Sequence, residues 1–226
     1  MPIGLGARRR RAVSLEQGAD AETPRCPACG EPLFVWIETI GYGQREDQVI
    51  DRCENCGLVV VRGAVPTPDH AVDRLLSGAK ERDGRVAIRV ANAASLQAWL
   101  GAENWGALRP GGHGIEPTPR AASLLLARRG LEIRRIRHLA GPGMAAMWQT
   151  LLNLLTFHRD FASEAVSGRL RPGTGRGLGA FSTDVVVTVL AAIPTALLAV
   201  LLEGGAIAAR RGGVIEIEAE RLPPTD

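Results

Sequence analysis

Apolar residues in this chain come in short runs separated by glycine, proline and charge. Leu33-Phe34-Val35-Trp36-Ile37, Gln48-Val49-Ile50 and Leu58-Val59-Val60-Val61 read as three strands. Pro66-Thr67-Pro68 breaks the chain before a short helix predicted over 69–80. An Asp83-Gly84 turn then leads into a strand, Arg85-Val86-Ala87-Ile88-Arg89-Val90. Residues 93–100 form a short helix in this reading, with Leu96, Trp99 and Leu100 on one face. Thr118 and Pro119 suit the cap and first turn of an amphipathic helix that Gly130 stops. Leu131-Glu132-Ile133-Arg134-Arg135-Ile136 resumes as a strand, and a Gly141-Pro142-Gly143 turn precedes a helix over 144–157. Residues 213–219 alternate apolar and acidic, the pattern of a strand with one wet face.

Residues 185–202 break this rhythm. They are uncharged over a length close to that of a membrane span, with Pro194 inside and Arg210-Arg211 just beyond. Three placements remain open: a buried helix, a helix at a membrane surface, and a true span. The terminal strand needs partners in a sheet, so the apolar segment must leave that sheet and return on the same side. A single crossing cannot do so.

The chemistry concentrates in four cysteines, Cys26, Cys29, Cys53 and Cys56, arranged as two Cys-x-x-Cys-Gly knuckles with strands between and after them. Thiolates suit Zn²⁺, and four of them close a tetrahedral site with no position left for substrate. The expected role is therefore structural. Disulfides are disfavoured because no secretory signal precedes the pairs, and a redox dithiol needs no duplicate. Knuckle, two strands, knuckle, strand is the layout of a zinc ribbon over 25–62, a module whose folding depends on its metal.

Charge adds little. The 226 residues carry 27 Lys and Arg against 24 Asp and Glu, a net +3, which argues against nucleic acid as a partner. The one dense run, Arg8-Arg9-Arg10-Arg11, falls in a tail over 1–24 read as disordered. Gly173-Thr174-Gly175-Arg176-Gly177-Leu178-Gly179 lacks the preceding strand that a phosphate loop requires and reads as a linker. His70, His138 and His158 stand alone, whereas His113 lies in a Gly/Pro-rich loop after a strand and is the one candidate catalytic residue.

In order along the chain, Val90-Ala91-Asn92, Ser95-Leu96-Gln97, Trp105, His113-Gly114-Ile115-Glu116-Pro117-Thr118-Pro119, Arg129-Gly130-Leu131 and Met147-Trp148-Gln149-Thr150-Leu151-Leu152-Asn153 carry a resemblance. They resemble the C-terminal half of class I S-adenosylmethionine-dependent methyltransferases that bear an N-terminal Cys-x-x-Cys zinc module. The family's strand-ending proline is Ala91 here, and its Phe-Thr-Pro aromatic is Pro117. Members of that family seat S-adenosylmethionine on a glycine-rich turn and hold its ribose with an acidic residue. Only about two dozen residues separate Val61 from Arg85, and one βαβ unit takes ~30. The resemblance thus implies a truncated member without the cofactor-binding half.

The expected fold is α/β: a small zinc ribbon (25–62), a linker with a short helix (63–84), and a partial Rossmann-like region of about three strands with helices (85–226). In it, the strand at Val214 lies antiparallel between those at Val86 and Ile133, and the Val86 strand keeps an unpaired edge. Two functions are expected. One is a methyltransferase-like protein inactive alone, partnered across that edge by a second copy or a full-length methyltransferase. The other is a non-enzymatic zinc-ribbon adaptor that docks on a protein or membrane surface. The expected location is the cytoplasm, with or without membrane association.

Overall fold

The structure, a computed structural model, describes residues 23–39, 48–64, 67–82, 84–108, 114–168 and 178–222. The arginine tail, His113 and most of the 173–179 glycine loop lie outside the described residues. Two antiparallel four-stranded sheets form the frame. The first has the order β1 (Leu33–Thr39), β2 (Gln48–Cys53), β3 (Val59–Val61) and β6 (Ile115–Glu116). The second has the order β4 (Lys80–Arg82), β5 (Arg85–Ala91), β8 (Val214–Arg221) and β7 (Leu131–His138).

The terminal strand does lie between the other two, with Ile88 opposite Ile217 and Ile136 opposite Ile217 on the other side. Its alternation explains the placement. Ile215, Ile217 and Ala219 are buried, while Glu216 and Glu218 on the opposite face pair with Arg89 and Arg137. Helices α1 (Pro68–Leu76) and α3 (Pro119–Ala127) add Ala71, Val72, Leu75, Ala121, Leu125 and Leu126 to the core that these strands line.

The edge of the Val86 strand departs from expectation. The helix predicted over 69–80 is shorter, and residues 80–82 form β4, which pairs with Arg85–Ala87. Helix α1 stops at Leu76, with Ser77 and Gly78 breaking it. The rest of that edge, Arg89 to Ala91, borders a cavity of about 770 Å³ that Ala145 and Trp148 also line.

Helix α2 (Leu96–Gly101) begins later than its pattern suggested, capped by Ser95, whose hydroxyl accepts from Ala98 N at 3.1 Å. Trp99 is turned outward, 71% exposed, and Gln97 and Ala98 are buried instead. Helix α3 starts and ends as its signals indicated, with Thr118 accepting from Ala121 N at 3.1 Å and Gly130 at φ 66°.

Between β7 and β8 the chain makes a long helical excursion. Helix α4 (Ala140–Leu155) takes in the expected Gly141-Pro142-Gly143 turn as its first turn, where proline's missing N–H would have had no helical partner. A short α5 (Phe161–Val166) follows, then α6 (Leu178–Ala208), 31 residues long and far longer than the apolar core that marked it. Trp148 on α4 donates to Ala192 O and Thr195 Oγ1 on α6, both at 3.0 Å. Gly143 lies against Glu203, and Phe157 N donates to Asp184, so α4 and α6 run antiparallel.

Candidate metal centre

Each knuckle is built by backbone hydrogen bonds that aim its two sulfurs the same way. In the first, Gly30 N donates to Cys26 O at 2.8 Å and Cys26 N to Glu31 O at 2.7 Å. In the second, Gly57 N donates to Cys53 O and Cys53 N to Leu58 O, both at 2.9 Å. The β1–β2 hairpin brings the knuckles together, since Leu33 pairs with Cys53.

Across the knuckles, the Sγ atoms of Cys26 and Cys56 lie 3.5 Å apart, as do those of Cys29 and Cys53. All four sulfurs lie within 4.8 Å of one another. A disulfide would need about 2.05 Å. A tetrahedron of thiolates ~2.3 Å from zinc has edges near 3.8 Å, which these spacings bracket. Cys26, Cys53 and Cys56 are buried and Cys29 is half-buried. The four residues singled out in the sequence can therefore hold one metal ion. A bound zinc would supply structural cross-linking there.

Protonation is shared across the cluster. The hydrogen bond with Cys26 holds the Cys56 thiol down at about 5, while that same contact and then burial push Cys26 up. Burial, foremost, also pushes Cys53 up. Within the pair, the contact favours the thiolate at Cys56 over the one at Cys26.

The second knuckle also abuts α3. The Thr118 hydroxyl donates to Cys56 O at 2.5 Å while accepting from Ala121 N. Gly57, at φ 75°, leaves no room for a side chain, since a Cβ would lie 2.7 Å from Thr118 Cγ2. Arg120 donates to Asn55 at 3.0 Å on the rim. As a result Cys26, Cys53 and Cys56 share one core cluster with Ile88, Ile215 and Ile217 of the second sheet.

The remaining candidates scatter. Trp105 is fully buried, edge-on to Trp36 at 6.5 Å. Among the other histidines, His70 accepts from Arg74 at 3.2 Å and His158 pairs with Glu164 at 2.9 Å. Two acidic residues escaped the sequence reading. Asp184, 1% exposed, accepts from Phe157 N at 2.7 Å and His158 N at 2.8 Å. Glu203, wholly buried, accepts from Gln97 Nε2 and Gly213 N, both at 2.7 Å. Their only signal was position: they are the charges that bracket the apolar run.

Between them, α6 turns a broad aliphatic face outward. Val186, Val189, Leu190, Ile193, Leu197, Val200 and Leu201 are exposed at helical spacing, with Leu190 at 72% and Ile193 at 74%. Among the described residues, one helix, Gly179–Ala208, is long and apolar enough to cross a membrane, and only 11% of its most apolar window is buried. Comparison with protein-family models, with curated proteins and with solved structures finds no match.

Proposed function

We propose that this protein is a non-enzymatic docking module, with a zinc-held body presenting the outer face of α6 to a partner surface. The observation that carries this reading is the contrast along α6. Its two carboxylates are turned inward and satisfied, while its aliphatic side chains stand in solvent. Leaving so many large apolar groups exposed is costly unless something covers them. The zinc site contributes rigidity to the body and, being closed by four thiolates, offers no position for a substrate.

The strand order β5-β8-β7, with its antiparallel terminal strand in the middle, favours a second reading: a methyltransferase-like protein that has lost its cofactor half. The two readings separate by experiment. On the docking reading, calorimetry with S-adenosylmethionine shows no saturable heat. Light scattering after gel filtration shows the purified chain self-associating, and L190E, which places a charge on the exposed face, restores a monomer. Saturable micromolar cofactor binding favours the methyltransferase reading, and a chain that neither self-associates nor binds a partner surface argues against exposed-face docking.

A further inference from the structure

We infer that the partner of α6 is a lipid bilayer, and that the helix lies flat along one leaflet and does not cross it. The inference rests on the docking reading above and names its occupant.

The face itself favours lipid over protein. Protein interfaces draw their strength from Trp, Tyr and Arg anchors. The exposed residues from Val186 to Leu201 are Val, Leu and Ile, with Pro194 among them and no charge between Asp184 and Glu203. Aliphatic side chains are the ones that gain most from hydrocarbon. At 1.5 Å per residue this stripe runs about 22 Å. Leu154, Leu155 and Phe157 are also exposed, where the end of α4 meets Asp184 at the start of the stripe. At the other end Arg210 and Arg211 are exposed, placed to meet anionic headgroups.

The orientation follows from how the helix pair is tied down. To stand α6 across a membrane, α4 would have to stand with it, carrying their shared tip to the far side. Both ends of α4 are instead bonded to the body. At its start, Gly143 O accepts from Gln97 of α2 at 2.7 Å. Near its end, Asn153 donates to Asn104 O at 3.1 Å, and Arg159 just beyond donates to Trp105 O at 3.0 Å and to Leu108 O. Trp105 and Leu108 belong to the core cluster that also contains Ile37, Ile50 and Val59 of the ribbon sheet. Helix α4 therefore lies lengthwise against the body, and α6 forms an outer layer over it. The outward face of that layer is parallel to the protein surface, the arrangement of an interfacial helix sunk into the headgroup and acyl boundary.

Flotation of the full zinc-loaded chain with phosphatidylcholine vesicles containing a minority of phosphatidylglycerol tests the occupant. Wild type is expected to float with the vesicles. L190E and I193E, at solvent-facing positions that leave the packing on α4 intact, should each lower the bound fraction roughly tenfold. Orientation is read by placing a tryptophan at Val186, Ile193 or Val200 and subtracting the wild-type signal. A flat helix predicts that all three are quenched most strongly by lipids brominated at the same shallow depth. Quenching of Ile193→Trp at the bilayer centre, with Val186→Trp and Val200→Trp shallow, overturns the flat orientation. If wild type fails to float but L190E still converts a self-associated form to monomer, the bilayer is overturned and docking by this face stands. If it neither floats nor self-associates, both fall.

Discussion

Gly57 carries more constraint than any other residue of the metal centre besides the cysteines. It turns the chain at positive φ directly under Thr118, whose hydroxyl also serves Cys56 O and the first turn of α3. Gly57→Ala places a Cβ in a left-handed conformation and against that side chain. A loss of about 1–3 kcal/mol is expected, read as a lower urea midpoint. Gly30→Ala has the same backbone cost without the overlap, because nothing lies near its missing Cβ, and should lose less.

Protonation sets the metal's pH dependence at the same scale. Zinc takes thiolates, so the protons that Cys26 and Cys53 hold above the usual thiol range must leave on binding. Affinity should rise with pH from neutral upward and fall as acid is added. Below about 5, where Cys56 takes up its own proton, its ready thiolate is lost too. For the metal-free fold, the depressed Cys56 contributes stability that is present above its unfolded value of 9.0 and fades as pH drops through about 5. The raised Cys26 acts oppositely, stabilising below 9.0 and losing that contribution at alkaline pH. Competition titrations with a chromophoric chelator at several pH values check the direction.

Among the elements, α6 depends most on what it buries at its ends. Glu203 gathers Gln97 of α2 and Gly213 before β8, against Gly143 of α4 where a side chain would overlap its carboxylate. Glu203→Ala leaves the Gly213 N–H and one of the two Gln97 Nε2 hydrogens without an acceptor, while the other still reaches Gly143 O, at about 1–3 kcal/mol per lost bond. Asp73→Ala, which removes an exposed pair with Arg129, should cost well under 1 kcal/mol. Denaturant midpoints of the two variants should differ accordingly.

The same helix shows what a sequence can disclose. Its existence was legible, because eighteen uncharged residues admit few other structures. Its true length and buried carboxylates were not, because the acceptors of Asp184 and Glu203 become visible only when distant backbone N–H groups arrive. The two- and three-residue strands β6 and β4 exist through their partners and carry no pattern of their own. Trp99 was misplaced for a similar reason: in a six-residue helix, the bonds of Gln97 to Gly143 and Glu203 decide which face turns inward. The cysteines and Thr118 were legible because ligand spacing and capping are local chemistry. His113, read as a candidate from its loop, lies outside the described residues.

Across the whole molecule, the metal centre and the second sheet share a core. Cys26, Cys53 and Cys56 pack in one cluster with Leu58, Val72, Leu125 and Ile215. Removing zinc should therefore loosen more than the ribbon. One zinc per chain is expected by atomic emission. After chelation, amide exchange should quicken in β5 and β8 as well as in β1 to β3. Protection that persists undiminished in β8 would mean that the two sheets are energetically independent.

The position of β8 has a further consequence, for the order in which the chain can fold. It is an inner strand of its sheet and the last of the described elements, with Glu216 lying 127 residues from its partner contact at Arg89. Until Val214–Arg221 is made, β5 and β7 have no strand between them. Ile88 then lacks the Ile217 that flanks it in the finished sheet. Such long-range pairing is slow, because much of the chain must be gathered before the contact forms. During synthesis, the cysteine-bearing strands β1 to β3 and the α4–α6 pair emerge before β8, and the second sheet waits for it. A nascent chain halted after Ala208 should accordingly be cut by protease within β5 and β7, and one extended through Arg221 should resist.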